Sequence, residues 1–250
     1  ANRLCRFDIP RPTIIGFGVD ASMFSPSLKD PAAKREMLAA CGIEDADAPL
    51  LIGISRHHPE KKVGTVLKAF AKASADRPMG FYLIGDGLLR KRVDRIAARI
   101  PGVCIAGAIS DRGKLSRYLA SADVFLHGGG FETFGLVIAE ALCSGVPLIV
   151  PDTGGASELA ARPYAETYPV GDAHAGADAI NRILDRDLPS LHREAAAAGA
   201  RLPSPESHFR NLFDYYGRVG RQAPASTPTP RPIPDIAPVD VLSANDAAPV

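Results

Sequence analysis

Nowhere in the 250 residues do about twenty apolar residues run together, the length that a membrane-spanning helix requires. The amino terminus also lacks the basic-then-apolar pattern of a signal peptide. Cysteine is scarce: Cys5, Cys41, Cys104 and Cys143 stand apart without CxxC or CxxH spacing, which argues against structural zinc and against a disulfide framework. A reducing cytoplasm fits that usage best. Charge of one sign is missing too. A net charge of +1 and a pI near 7.9 give no long-range field to draw nucleic acid or an anionic membrane, so any anion site must be local. No serine sits in a GxSxG elbow, which disfavours an α/β-hydrolase. His57 and His58 are neighbours, an awkward pair for chelating one metal, and no metal site is expected. What remains is ordinary globular material, 46% apolar and 23% charged, enough for one large domain or two small ones. The chain opens with Ala and not Met in a strand-rich passage, so an upstream portion is expected to be missing.

Residues 50–56, 80–85, 102–106, 122–127 and 146–150 are short apolar runs bounded by turn residues, and each reads as a strand. Between them apolar residues recur at helical spacing: Val63, Val66, Leu67 and Phe70, then 88–99, 112–120 and 135–144. That alternation implies βαβ units and an α/β fold with a doubly wound, Rossmann-like parallel sheet. Further helical patterns follow at 172–185, 188–199 and 206–220. In the last, Phe209, Leu212, Phe213, Tyr216 and Val219 form an apolar stripe expected to pack on a neighbouring domain or a sheet face. Residues 222–250 are rich in proline and read as a disordered tail, and 1–20 as an interdomain segment, leaving 21–221 as the folded domain.

Ligands of an open parallel sheet bind beyond the carboxyl ends of its strands, where loops and helix amino termini converge. Glycines and charges gather there. Arg56 and Lys61 follow the first strand, Gly85-Asp86-Gly87 the second, Gly107-Ala108-Ile109 the third, Gly128 to Gly135 the fourth, and Gly154-Gly155 the fifth. The fourth loop says most: Glu132 and Glu140 stand eight positions apart across a loop-to-helix junction, just after three glycines. A helix beginning near Thr133 or Phe134 aims its unpaired amides and the positive end of its dipole at whatever sits there, as an anion site requires. Arg56 and Lys61 could reach the same anion as a fork and a point charge. The simpler readings are a solvated basic loop and two solvated glutamates. Gly16-Phe17-Gly18-Val19-Asp20-Ala21 matches a loose dinucleotide fingerprint without the long helix that fingerprint needs. Glu132 and Glu140 as a glycosidase pair leave the basic loop and the glycines unexplained.

Several of these segments together resemble one family. Gly53-Ile-Ser-Arg56-His-His-Pro-Glu-Lys61, Gly85-Asp86-Gly87-Leu-Leu-Arg, Ala122-Asp123-Val124-Phe125, Glu132 through Glu140-Ala141-Leu142, and Gly154-Gly155-Ala-Ser-Glu158 occur in this order. They resemble the carboxyl-terminal domain of GT-B fold retaining glycosyltransferases of the family-4 group, over roughly residues 10–220. The resemblance implies metal-independent transfer of a hexose from a nucleotide diphosphate sugar, with no separate cofactor, to an acceptor glycan or lipid. It implies that Arg56 and Lys61 neutralise the departing diphosphate, that Glu132 binds hydroxyls of the transferred sugar, and that Glu140 takes the ribose diol. The amides of Phe134 and Gly135 then hold the donor, backbone near Ile109 meets the base, and the Gly85–Gly87 turn lines the nucleotide crevice. The family's hinge residues Pro-Asn-Gly are replaced here by Gly16-Phe17-Gly18.

Family members carry the acceptor site in a preceding Rossmann-like domain, which is expected to be missing from this chain. The isolated polypeptide is therefore expected to bind donor but to transfer sugar poorly or not at all. The absent half is expected to be a missing amino-terminal domain or a partner subunit. A cytoplasmic chain is expected, with membrane contact, if any, only peripheral at the inner face of the plasma membrane, and nucleic acid is not an expected partner. Alternatives are a non-catalytic nucleotide-sugar-binding module or split-enzyme subunit, and an epimerase of related fold. UDP, GDP and ADP are not distinguished, because base contacts made by backbone leave little trace in sequence.

Overall fold

Leu50–Ile54 (β1), Gly80–Ile84 (β2), Val103–Gly107 (β3), Val124–Leu126 (β4), Leu148–Pro151 (β5) and Ala165–Tyr168 (β6) form one parallel sheet in the computed structural model, which describes residues 13 and 15–222. The strand order is β3-β2-β1-β4-β5-β6, with every pair parallel. The chain thus builds outward from β1 in one direction, returns to the middle, and builds outward in the other. Helices α1 (Pro31–Ala40), α2 (Val63–Ala73), α3 (Arg90–Ala97), α4 (Arg112–Ser121), α5 (Leu136–Cys143), α6 (Gly154–Leu159), α7 (Ala173–Leu184) and α8 (Leu188–Gly199) connect or follow the strands. By its internal contacts the chain divides into a unit ending at Leu212 and one beginning at Phe213, and α9 (Pro205–Gln222) runs through that boundary.

Alternate strand residues feed two cores, one on each sheet face. Leu50 and Ile52 of β1 join Phe24, Met37, Phe125, Ile138 and Leu142; Leu51 joins Leu67, Phe70, Phe81, Leu126 and Ile180. This is why the strands read as continuous apolar runs: both faces are covered. Side chains set several helix starts. Asp30 accepts from the amide of Ala32 at 2.8 Å ahead of Pro31, and Asp172 accepts from His174 and Ala175 at 2.9 and 3.0 Å.

All five expected strands are present with slightly moved ends. The sixth, β6, was not expected, because Ala165-Glu-Thr-Tyr is no apolar run. Its Glu166 is buried, neutralised by Arg182 Nε at 2.8 Å from Oε2 and by Arg186 on Oε1. Helix α1 was missed because its alanines and charges carry little apolar periodicity, and α6 because it opens on Gly154-Gly155, which reads as a loop. Of the apolar stripe on α9, Phe209, Phe213, Tyr216 and Val219 are exposed. Apart from residues 13, 15–20 and 222, the expected 1–20 segment and 222–250 tail lie outside the described residues. Cys5 lies there too, while Cys41, Cys104 and Cys143 are free thiols. Among the described residues no helix is long and apolar enough to cross a membrane.

Candidate functional site

The order of the sheet places a crevice between β1 and β4, where successive connections leave in opposite directions. A cavity of about 620 Å3 opens there, the size of a small-molecule site. Four of the strand-end loops line it: Ser55, Arg56 and Lys61 after β1, Gly85 and Asp86 after β2, Ala108 and Ile109 after β3, and His127 with Glu132 to Val137 after β4. Phe17 joins from the opening segment, its ring 5.6 Å from that of Phe134 and stacked on His208 at 5.1 Å. The fingerprint-like Gly16 to Ala21 run begins no strand-turn-helix; instead the amide of Val19 donates to Pro203 O at 2.9 Å.

Two side chains meet on one oxygen at the heart of the cavity. Lys61 Nζ lies 2.5 Å from Glu132 Oε1, and His127 Nε2 lies 3.0 Å from the same atom. Lys61 and Glu132 each keep 14% of their side-chain exposure, and His127 is buried. The hydrogen bond from His127, with that of Lys61 behind it, holds the Glu132 carboxyl down at about 2 against the opposing effect of burial. Gly129 leaves the room: a Cβ there would stand 2.8 Å from His127 Nε2 and 3.1 Å from Glu132 Oε1. Arg56 is different. It is 81% exposed and only 3.7 Å from Glu60, which also lies 3.9 Å from Lys61 and 3.6 Å from His58.

The loop that carries these cations is tied down by its neighbour. The amide of His57 donates to Asp86 O at 2.8 Å, and its carbonyl accepts from Leu89 at 2.9 Å, joining the β1 loop to the Gly85–Gly87 turn. The His57 ring is fully buried, with no hydrogen-bond partner for either nitrogen among the described residues; burial first, then Arg90, lowers its pKa and keeps it neutral.

Helix α5 opens at Leu136, within a residue of where the apolar spacing put it and two to three residues after the Thr133 or Phe134 start expected from the loop. Gly135 holds φ at 81°, a left-handed conformation that cannot belong to the helix, and offers no side chain as a cap. The first-turn amides of Leu136 and Val137 therefore have no intrahelical acceptor, and both residues line the cavity. Phe134 and Gly135 line it as well.

The structure thus brings together Arg56, Lys61, Gly85, Ile109, Glu132, Phe134 and Gly135, while Glu140 and Gly87 are not among the lining residues. Gly87 belongs to the turn against His57, whose backbone a Cβ there would approach to 3.0 Å. Glu140 is paired with Arg112 Nη2 at 3.3 Å, and burial raises its pKa against the pull of that arginine. With Glu140 outside the cavity, nothing in the geometry supports a glycosidase pair. Sequence reasoning missed His127 and Arg112. His127 had left a signal, a polar residue closing an apolar strand at the sheet edge where ligands bind; Arg112, at the start of a helix on another loop, left none. Among the described residues no group of three or more His, Cys, Asp or Glu is arranged to hold a metal ion.

The family model for glycosyl transferases group 1 matches residues 41–201. A GDP-mannose-dependent alpha-mannosyltransferase of Mycobacterium tuberculosis is 35% identical over 152 residues, 60% of this chain and 36% of that protein. From the same organism, a GDP-mannose-dependent alpha-(1-6)-phosphatidylinositol dimannoside mannosyltransferase is 32% identical over 188 residues, 73% of this chain and 46% of that one. The structure of Anabaena HepE in complex with UDP and glucose superposes with a TM-score of 0.69 at 21% identity, over 82% of this chain and 56% of its own. The chain spans between about a third and a half of the length of these two curated relatives.

Proposed function

The chain belongs to the group 1 glycosyl transferases, and from that premise we propose that the cavity between β1 and β4 binds a nucleotide diphosphate sugar as the donor of a retaining hexosyl transfer. The observation that carries this reading is the Lys61–Glu132–His127 cluster set against the open amino terminus of α5. One arrangement offers a cation and helix amides to a diphosphate, and a carboxylate held ionised to sugar hydroxyls. Lys61, with Arg56 swinging in from solvent, neutralises the charge that builds on the leaving diphosphate. Preorganised donors of this kind are each worth about 10²–10³ in rate. No separate cofactor enters this scheme, in which the cations are side chains. Glu132 accepts from the sugar, the amides of Phe134 and Gly135 and the first-turn amides of Leu136 and Val137 hold the phosphates, and the base lies toward Ile109 and Gly85. Glu140 reaches the ribose only by releasing Arg112.

GDP-mannose is the donor we favour, since the mannosyltransferase relatives share about a third of their residues with this chain. Transfer includes an acceptor, glycan or lipid, whose site is supplied by a further domain or a partner subunit. We place the reaction in the cytoplasm, with membrane contact peripheral at most. Calorimetric titration with GDP, UDP and ADP tests the reading, alongside the Lys61→Ala and Arg56→Ala, Lys61→Ala variants. One diphosphate is expected to bind and the double variant to lose it; if none of the three binds the wild-type chain, the reading fails.

A further inference from the structure

Among the described residues both side-chain hydrogen bonds of Glu132 fall on Oε1, one from Lys61 and one from His127. The two donors differ in freedom. Lys61 reaches in from the 3-10 turn Pro59–Lys61 on a flexible stem of four carbons. His127 directly follows β4 and is held on every side: its amide donates to Ile149 O at 2.9 Å, and its carbonyl accepts from Tyr168 Oη at 2.7 Å. Its ring lies 6.2 Å from that of Phe125 at 11° between planes, and 2% of the residue is exposed. Since an ionised carboxylate can only accept, Nε2 carries the proton of that bond.

We infer that His127 is a positioning residue for the sugar-binding carboxylate: it keeps Glu132 fixed in the cavity when the donor's diphosphate draws Lys61 away from it. The inference rests on the donor-site reading above. A diphosphate brings at least two negative charges within reach of the one ammonium that Glu132 holds at rest, and Lys61 turns toward them. A carboxylate left without a donor at that moment follows the ammonium or relaxes toward water, and its hydroxyl-binding geometry goes with it. The Nε2–H of His127 prevents this, because it grips Oε1 from the end of β4, whose backbone bonds to Ile149 and Tyr168 do not involve the β1 loop. Oε2 then stays available to a sugar hydroxyl throughout. The bare Cα of Gly129 belongs to the same device, since any side chain there collides with the bond being made.

The readout is the ratio of two dissociation constants, for a nucleoside diphosphate and for its sugar conjugate. GDP and GDP-mannose are titrated into the wild-type chain, His127→Leu and His127→Gln, or the UDP or ADP pair if that base is the one that binds. Leucine removes the donor, while the glutamine amide places an N–H where Nε2 stood. Expected is a GDP affinity unchanged within about twofold in both variants, a GDP-mannose affinity about tenfold weaker in His127→Leu, and recovery of most of that loss in His127→Gln. An unchanged ratio in His127→Leu overturns the inference, as does parallel weakening of both ligands, which marks a purely structural role. Lys61→Ala supplies a reading should neither His127 variant fold. There both ligands are expected to weaken together with the ratio kept, because His127 still holds Glu132; a collapse of the ratio assigns the positioning to Lys61 instead. If the wild-type chain binds none of the three diphosphates, the donor-site reading itself has failed and this inference falls with it.

Discussion

Glu132 and Glu140 are eight residues apart, half-withdrawn from water, and opposite in their energetics. Glu132 is held at about 2, below its ordinary 4.5, so its interactions stabilise the fold fully above pH 4.5 and are lost as pH falls toward 2. The contribution is on the order of 3 kcal/mol at most. Urea denaturation of wild type and Glu132→Gln should therefore differ most near neutral pH and converge as pH drops through that window; a constant gap removes the assignment. Glu140 is shifted the other way by burial, so its ionisation works against folding at neutral pH, and stability due to this group rises as the pH falls through its raised value. Glu140→Gln is expected to be neutral or mildly stabilising in thermal melts while Arg112→Ala destabilises, and a clear loss of stability in Glu140→Gln would refute that. At this scale the sequence disclosed which residues carry charge but not who pairs with whom. The spacing that drew attention to two carboxylates could not show that one faces the cavity and the other an arginine from α4.

The elements differ in how openly they announce themselves. Strands β1, β2 and β5 are buried on both faces, so their composition alone betrays them. Strand β6 depends instead on a long-range arrangement, Glu166 against Arg182 and Arg186 of α7 and the turn beyond it, which no local pattern contains. Removing that carboxylate leaves three partly exposed guanidinium groups, with Arg162 as the third, without their shared partner, and Glu166→Ala is expected to cost about 1–3 kcal/mol in urea denaturation. A loss under 1 kcal/mol contradicts it. The sequence offered two starts for α5, one at Thr133 or Phe134 and one at 135, because glycine's freedom can mean either a loop or a cap, and the left-handed Gly135 decides for the cap. Gly135→Ala is expected to cost about 1–2 kcal/mol through backbone strain, and to weaken diphosphate binding because the first-turn amides are re-aimed. Measured stability and affinity should fall together; an unaffected affinity detaches the helix from the site.

In the whole molecule, the alternation of strand and helix patterns sufficed to read a doubly wound parallel sheet, and with it the edge at which the cavity opens. The order β3-β2-β1-β4-β5-β6 was not legible, since pairing of β1 with β4 is a choice made between segments far apart. A ligand that binds only the folded chain stabilises it by about 2.7 kcal/mol at a hundredfold excess over its Kd. For a chain of this size that is a rise of roughly 5–10 °C in Tm. The matching nucleoside diphosphate should produce it in wild type and not in the Arg56→Ala, Lys61→Ala chain, and an equal rise in both denies the site its role. The seam between β1 and β4 has one more consequence. It joins Leu50 to Asp123, 73 positions on, whereas β1 and β2 pair Leu50 with Gly80 and the remaining pairings are more local still. Closing so long a loop carries the largest entropy cost of any pairing in the sheet, so this contact belongs late in folding. Lys61 and Glu132 stand on opposite sides of it. A nascent or truncated chain lacking β4 can form β1 to β3 and still own no site at all, and the ability to hold a ligand arrives as one of the last events of folding.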